Sequence, residues 1–173
     1  NKFTGWTEVK LTKAGIDDAK IVALRLKNKK FQVAFQTTLS RSKDTLKEVL
    51  KFHPECKRII IDDRIRERNY GDLNGWKHYE AVKKFSPEQY DKWHRGFSDR
   101  PQNGESLADV EKRVSEFIKY LKKFIKENKV NVAISAHGNS IRVFRKIMEK
   151  ASEKETCEWF IVYDNYYEYK IAI

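Results

Sequence analysis

The sequence predicts an α/β fold with a mostly parallel sheet flanked by helices. Two observations carry this reading. Short apolar runs alternate along the chain with longer segments whose apolar residues recur at helical spacing. Three polar segments, Gln36 to Arg41, Asp62 to Tyr70 and His137 to Arg142, each follow the end of an apolar run. In open α/β sheets ligands gather beyond the carboxyl ends of the strands, so these three segments should converge on one crevice.

Taken in order, Thr12 caps a helix with the stripe Ile16, Ala19, Val22, Ala23 and Leu26. Phe31 to Gln36 reads as a short strand, and a helix from about Ser40 turns Leu46, Val49 and Leu50 inward. Arg58 to Ile61 reads as a second, buried strand bounded by Asp62 and Asp63, and Arg64 to Gly75 as a loop. Ser86-Pro87-Glu88 starts a helix with proline at its first position, and Pro101 to Gly104 is a turn. Ser106 with Asp109 opens the longest helix, with Leu107, Val110, Val114, Phe117, Ile118, Leu121, Phe124 and Ile125 on one face. Val130 to Ala136 is a continuous apolar strand, His137-Gly138-Asn139 the turn after it, and Ser140 the start of another helix. Phe160 to Ile173, aromatic and β-branched, reads as one or two strands. No repeat or Pro/Gly-rich linker interrupts residues 1–173, which read as a single domain.

The chain has 173 residues, 40% of them hydrophobic and 13% aromatic, enough for a sizeable core. No apolar run reaches the length of a membrane span, and no secretory signal precedes Phe3, so the expected location is cytoplasmic. Cys56 and Cys157 form no CxxC pair and read as plain thiols, and no metal site is expected. The net charge of +11, from 36 basic and 25 acidic residues, favours anionic partners. Lys119, Lys122, Lys123 and Lys126 read as a solvated helix face. With no nucleic-acid module in view, the expected partner is a small acidic phosphorylated molecule rather than nucleic acid or a membrane. A homo-oligomer stays open.

Three residues stand out chemically. His137 ends an apolar strand and precedes a glycine and a helix start, where free N–H groups and the positive dipole end suit an anion. It could donate to a phosphoryl oxygen or simply cap the helix. Arg41 lies in the first turn of a helix, where a positive charge opposes the dipole; it could grip a phosphate or make a surface salt bridge. Glu67, between Arg66 and Arg68, is a candidate general acid/base, against the alternative of a solvated loop carboxylate. Trp93-His94-Arg95 with Arg100, and Lys77-His78, could form a lid over a charged ligand or an exposed basic face. His53, before Pro54, reads as a surface residue.

Together the motifs resemble one family. Phe3-Thr4-Gly5-Trp6 with Leu11-Thr12 and Gly15, then Leu39, Arg41 and Thr45, then Glu67-Arg68-Asn69-Tyr70-Gly71 with Leu73 and Gly75, are similar to successive motifs of cofactor-dependent phosphoglycerate mutases of the histidine-phosphatase superfamily. Trp93 to Phe97, Gly104-Glu105-Ser106-Leu107 and His137 to Arg142 continue the series in order to about residue 150. The resemblance implies a three-layer, mostly parallel sheet flanked by helices. It implies interconversion of 3- and 2-phosphoglycerate through a phosphohistidine, primed by 2,3-bisphosphoglycerate, with no metal. By resemblance Arg41 pins the transferred phosphoryl group, His137 stabilises its charge, and Glu67 moves the substrate hydroxyl proton. Thr4, Gly5 and Asn139 bind the transferring group or substrate. Arg68, Tyr70 and Arg95, with His78 or Lys77 beside them, hold the carboxylate and far phosphate. Arg142 matches a family position without a catalytic role.

Three departures shape the expectation. The family's nucleophilic Arg-His-Gly triplet precedes its FTGW segment, and no such triplet occurs here. The expectation is therefore that the parent protein carries it, with its strand, upstream of Asn1, and that residues 1–173 alone are inactive. His94 stands where the mutases have arginine, and His78 near a substrate-binding lysine. The insertion between Phe97 and Gly104 is short, as in broad phosphatases of the superfamily. A phosphomonoesterase is thus the second reading, and a non-catalytic phosphate-binding protein the third.

Overall fold

The computed structural model describes residues 2–172. Its elements run α1 (Lys13–Leu26), β1 (Val33–Gln36), α2 (Ser40–Leu50), β2 (Arg58–Ile61), α3 (His78–Phe85), α4 (Pro87–Arg95), α5 (Leu107–Asn128), β3 (Val132–Ile134), α6 (Gly138–Glu149) and α7 (Glu153–Glu158). Two short 3-10 turns, Asp63–Ile65 and Gly71–Leu73, shape the segment read as a loop.

The three strands form a parallel sheet in the order β2-β1-β3, with Phe35 opposite both Ile60 and Ile134. Alternation along a strand sends neighbouring side chains to opposite faces. Val33 and Phe35 point into a cluster with Phe117, Leu121 and Phe124 of α5. Ala133 faces the other way, against Val22, Ala23 and Val49 of α1 and α2. Helices thus cover both faces, which is the three-layer arrangement expected. Small residues at Ala34 and Ala133 let α1 and α2 approach the sheet closely.

The caps follow the sequence. Thr12 Oγ1 accepts from the Gly15 N–H, and Ser106 and Asp109 close a reciprocal box at the start of α5. Ser152 and Glu155 close another at α7, a helix whose S-x-x-E signature had gone unread. Helix α3 was also unanticipated. It forms with α4 a small hairpin around Phe3, Tyr70, Leu73 and Ala81.

Several expectations are corrected. β2 is not buried: Ile59 and Ile61 are 48% and 54% exposed, because β2 is an edge strand with one covered face. β3 spans only Val132–Ile134, and α6 starts at Gly138 with His137 as its N-cap, rather than at Ser140. His53 is 1% exposed, its ring stacked 4.2 Å from Phe31, because the turn after α2 folds it beneath β1. Residues 160–172 form no strand, and Ile173 lies outside the described residues. A strand needs a neighbouring ladder. Here the tail's side chains anchor it to helices instead: Arg145 stacks on Trp159 and Tyr167, and Lys29 pairs with Glu168.

Candidate active site

The carboxyl ends of the three strands meet as the polar segments require. Immediately after β1, Thr37 is fully buried and its hydroxyl lies 2.8 Å from His137 Nε2. Ser42 Oγ accepts from the Thr37 N–H and donates to the Ser135 carbonyl, while Ser135 Oγ donates to the Ser42 carbonyl. These bonds tie the end of β3 to the first turn of α2, fixing His137 relative to Arg41. The His137 N–H donates to Ser140 Oγ. Burial, with Arg41, Arg113 and Arg66 adding to it and Glu67 opposing, pushes the His137 imidazole down to about 4. At neutral pH it is an uncharged ring that can still donate one N–H.

Glu67 is not a solvated carboxylate. Its Oε1 accepts from the Asn139 N–H at 3.1 Å, from Asn139 Nδ2 at 3.0 Å and from the Arg68 N–H at 2.7 Å. The expectation of a free anion site at the N-terminus of α6 is therefore corrected. A carboxylate of the chain already answers one of those N–H groups, because the loop after β2 reaches across to α6. Trp6 Nε1 donates to the Glu67 carbonyl at 2.6 Å, so the backbone of this acid is held as well.

Among the described residues Arg41 makes no surface salt bridge. Its guanidinium donates to the Gly5 and Thr7 carbonyls at 2.6 and 3.1 Å. Burial depresses it most, while Glu67 and Glu8 favour its charge. Gly5 is buried with φ +43°, and a Cβ there would run into the Asn74 side chain. Thr4 is half-buried beside it, without a side-chain hydrogen bond among the described residues.

A second group of cations lies on the α3–α4 side. Arg68 is fully buried, donating from Nε to the Glu105 carbonyl and from Nη2 to the Asp99 carbonyl, and its Nη1 has no partner. Arg142 donates weakly to Asn139 Oδ1 at 3.4 Å, and its buried Nε also has none. Burial leads in depressing both guanidiniums; Arg142 adds to it at Arg68, and Arg95 at Arg142. Tyr70 is buried, and its oxygen accepts from Asn139 Nδ2 at 3.2 Å. Arg95 is exposed at the end of α4. His78 packs on Phe3, whose ring also touches Tyr70. Among the described residues, no carboxylate lies within 4.0 Å of Arg41, Arg68, Arg95 or Arg142.

Two expected lid residues are elsewhere. Arg100 is bound to Asp109 at the start of α5, and exposed Lys77 lies over the Tyr79 ring. Two site residues were not among those expected, Thr37 and Arg113. Thr37 directly follows a strand, which was a usable signal. Arg113 donates to the Arg64, Arg66 and Glu67 carbonyls and pairs with Glu105, so it shapes the whole acid loop from α5. In the sequence it looks like any helix-surface arginine. Arg142, expected to have no catalytic role, lies in the outer cationic group with its buried Nε unpartnered.

The loop that carries Glu67 is exacting at Gly71. Its φ is +56°, and a Cβ would collide with the Gln102 carbonyl oxygen and the backbone of Asn103 and Gly104. Gly71→Ala is expected to cost about 3 kcal/mol or more in thermal or urea unfolding, since no flexible side chain can yield. A change below about 1 kcal/mol would show that the loop has another arrangement.

Acid sensitivity follows from His137 and His94, both held at about 4 against a usual 6.5, mainly by burial. Between these values the unfolded chain binds more protons than the folded one. Stability is fully present above pH 6.5 and falls as pH drops toward 4. Tm is expected to fall across that window, and to fall less steeply in His137→Asn, where only His94 still contributes. A flat wild-type profile would contradict the buried, neutral ring.

The sequence matches the histidine phosphatase superfamily (branch 1) over residues 1–166. The chain belongs to this superfamily. It is 32% identical over 177 residues to a 2,3-bisphosphoglycerate-dependent phosphoglycerate mutase of Pseudoalteromonas atlantica, covering 87% of this chain and 78% of that one. It is 39% identical over 147 residues to a phosphoglycerate mutase of Schizosaccharomyces pombe, covering 82% and 69%. In fold it is similar to a mycobacterial glucosyl-3-phosphoglycerate phosphatase, with a TM-score of 0.78, 22% identity and coverage of 90% and 75%. Of the four histidines in this histidine-phosphatase chain, 53, 78, 94 and 137, none stands between an arginine and a glycine.

Proposed function

We propose that this site belongs to a 2,3-bisphosphoglycerate-dependent phosphoglycerate mutase, interconverting 3- and 2-phosphoglycerate in glycolysis and gluconeogenesis. The observation that carries the reading is the pair of unneutralised cationic groups on either side of Glu67. Arg41 and neutral His137 form one; Arg68, Arg95 and Arg142 form the other. Buried guanidinium nitrogens without partners are costly unless an anion completes them. Phosphoglycerate has two anionic ends and a hydroxyl between them, which suits two cationic groups with an acid/base in the middle.

In this reading Arg41 grips the transferred phosphoryl group and His137 donates to one of its oxygens as charge shifts, without adding a second fixed charge. Asn139 holds Glu67 in register, and Glu67 receives or returns the proton of the substrate hydroxyl. Thr4 and Gly5 close the phosphoryl side. Arg68, Tyr70 and Arg95, with His78 behind them, hold the carboxylate and the far phosphate. The same two cationic groups fit 2,3-bisphosphoglycerate, which supplies a phosphoryl group when bound. The proposed partner is this class of small acidic molecule, handled in the cytoplasm.

A phosphomonoesterase remains the second reading, favoured by one observation: Arg100 is committed to Asp109, which leaves the short segment after Phe97 without a cation over the site. The deciding measurement uses the protein as its gene encodes it. Isomerisation of 3-phosphoglycerate is expected to exceed hydrolysis of p-nitrophenyl phosphate at least about a hundredfold in kcat/KM. Comparable rates would establish the phosphatase.

A further inference from the structure

The segment after α7 brings one more side chain to the site. Trp159 lies under Arg145, Ile161 is buried, and Asp164 faces Arg25 across 3.8 Å. These anchors, on both sides of Tyr163, carry the segment past the N-terminus of α6. Tyr163 is 65% exposed, yet its hydroxyl is turned onto Gly138. A Cβ on Gly138 would lie 3.3 Å from that hydroxyl and 3.7 Å from Glu67 Oε2. The phenol and the carboxylate therefore border the same spot, the bare Cα between His137 and Asn139.

The two atoms that meet there are uncommitted. Glu67 Oε1 holds three donors, whereas Glu67 Oε2 and Tyr163 Oη have no hydrogen-bond partner among the described residues. The charged groups acting on the phenol are those of the crevice, Glu67, Arg142 and Arg41, and Tyr163 acts on Arg41 in turn. Desolvation of the hydroxyl end, with Glu67 adding to it and the two arginines opposing, pushes the phenol up. Near neutrality Tyr163 is a protonated donor.

We propose that Tyr163 is a further catalytic residue whose hydroxyl donates to the same substrate oxygen on which Glu67 acts. This rests on the reading of Glu67 as the acid/base, and it holds for a mutase and a phosphomonoesterase alike. That oxygen bridges carbon and phosphorus in the ester and becomes the free hydroxyl when the P–O bond breaks. The electron pair of the broken bond stays on the oxygen. The phosphoryl group passes to the acceptor, a histidine nitrogen in the proposed reaction, and the proton comes from Glu67. Tyr163 keeps its own proton and answers the charge that gathers on the oxygen as the bond lengthens. Such a donor matters most where the leaving oxygen is basic. The alkyl oxygen of 3-phosphoglycerate is strongly basic, whereas p-nitrophenyl phosphate expels a stable phenolate that needs little help.

The test is Tyr163→Phe in the protein as its gene encodes it, assayed on p-nitrophenyl phosphate, phenyl phosphate and 3-phosphoglycerate. The hydroxyl has no partner in the free protein, so Tm should be unmoved. Turnover is expected to change less than about twofold on the first substrate and to fall at least about tenfold on the third, with KM little changed and phenyl phosphate in between. Tyr163→Leu should give the same graded pattern, since the hydroxyl rather than the ring is the active part. Equal losses on all three substrates would place Tyr163 in the scaffold or on Glu67 alone, and would overturn the proposal, as would an unchanged rate on 3-phosphoglycerate. Glu67→Gln tests the underlying reading separately. If it leaves turnover of 3-phosphoglycerate unchanged, the acid/base assignment falls, and this proposal with it.

Discussion

His137→Ala is expected to lower turnover about a hundred- to a thousandfold in the protein as its gene encodes it, with KM little changed. The magnitude is that of removing one donor aimed at developing charge in a water-poor site. The ring is placed for this by the 2.8 Å bond between Nε2 and the fully buried Thr37 hydroxyl, and by the N-cap position that starts α6. Its neutrality matters as well, because it donates without repelling Arg41. The backbone N–H to Ser140 Oγ survives the substitution, so the fold should persist and can be confirmed by circular dichroism. Thr37→Val should lower turnover less, since it frees the ring without deleting it. An unchanged rate in His137→Ala would leave His137 as a helix cap alone.

Arg95→Ala is expected to separate the two enzymatic readings most sharply. Arg95 is exposed, without an acidic partner among the described residues, and stands beside Arg142 and His94. It contributes little to stability, so its loss should leave Tm almost unmoved. A charge-assisted hydrogen bond to a substrate carboxylate or phosphate is worth about 1.5–3 kcal/mol, or roughly 10- to 150-fold in kcat/KM for phosphoglycerate. Hydrolysis of p-nitrophenyl phosphate should change less than about threefold, because that ligand has no second anionic end. Equal losses on both substrates would place Arg95 at the phosphoryl side or in the scaffold, and would favour the phosphomonoesterase.

Much of this protein was legible before folding. The helix starts at Thr12, Ser86 and Ser106 are local events, each a side chain answering an N–H a few residues away, so residue type and spacing determine them. The convergence of Arg41, Glu67 and His137 was readable for a related reason. Parallel strands joined by helices leave their carboxyl ends at one edge, and polar residues placed there must meet. The ordered motifs also pointed to the superfamily.

Tertiary structure decided the rest. Ile59 and Ile61 looked like core and are exposed, because strand order, not strand composition, determines which strand is an edge. The aromatic tail looked like strand and is not, because a strand exists only against a neighbour's hydrogen bonds. His53 looked like a surface residue and is buried against Phe31, and Arg113, which no local pattern marks, holds three carbonyls of the acid loop. The Glu67 carboxylate sits on an N–H of α6 rather than in water, a pairing across 72 positions that no local pattern encodes. His78 and His94 lie on different helices, and only the turn between α3 and α4 brings their rings together. The sequence determined which groups were available and which elements would form, because those depend on short-range spacing. The tertiary structure determined which charges were left unpaired and which rings were stripped of water, because burial and long-range contact arise only when the elements pack.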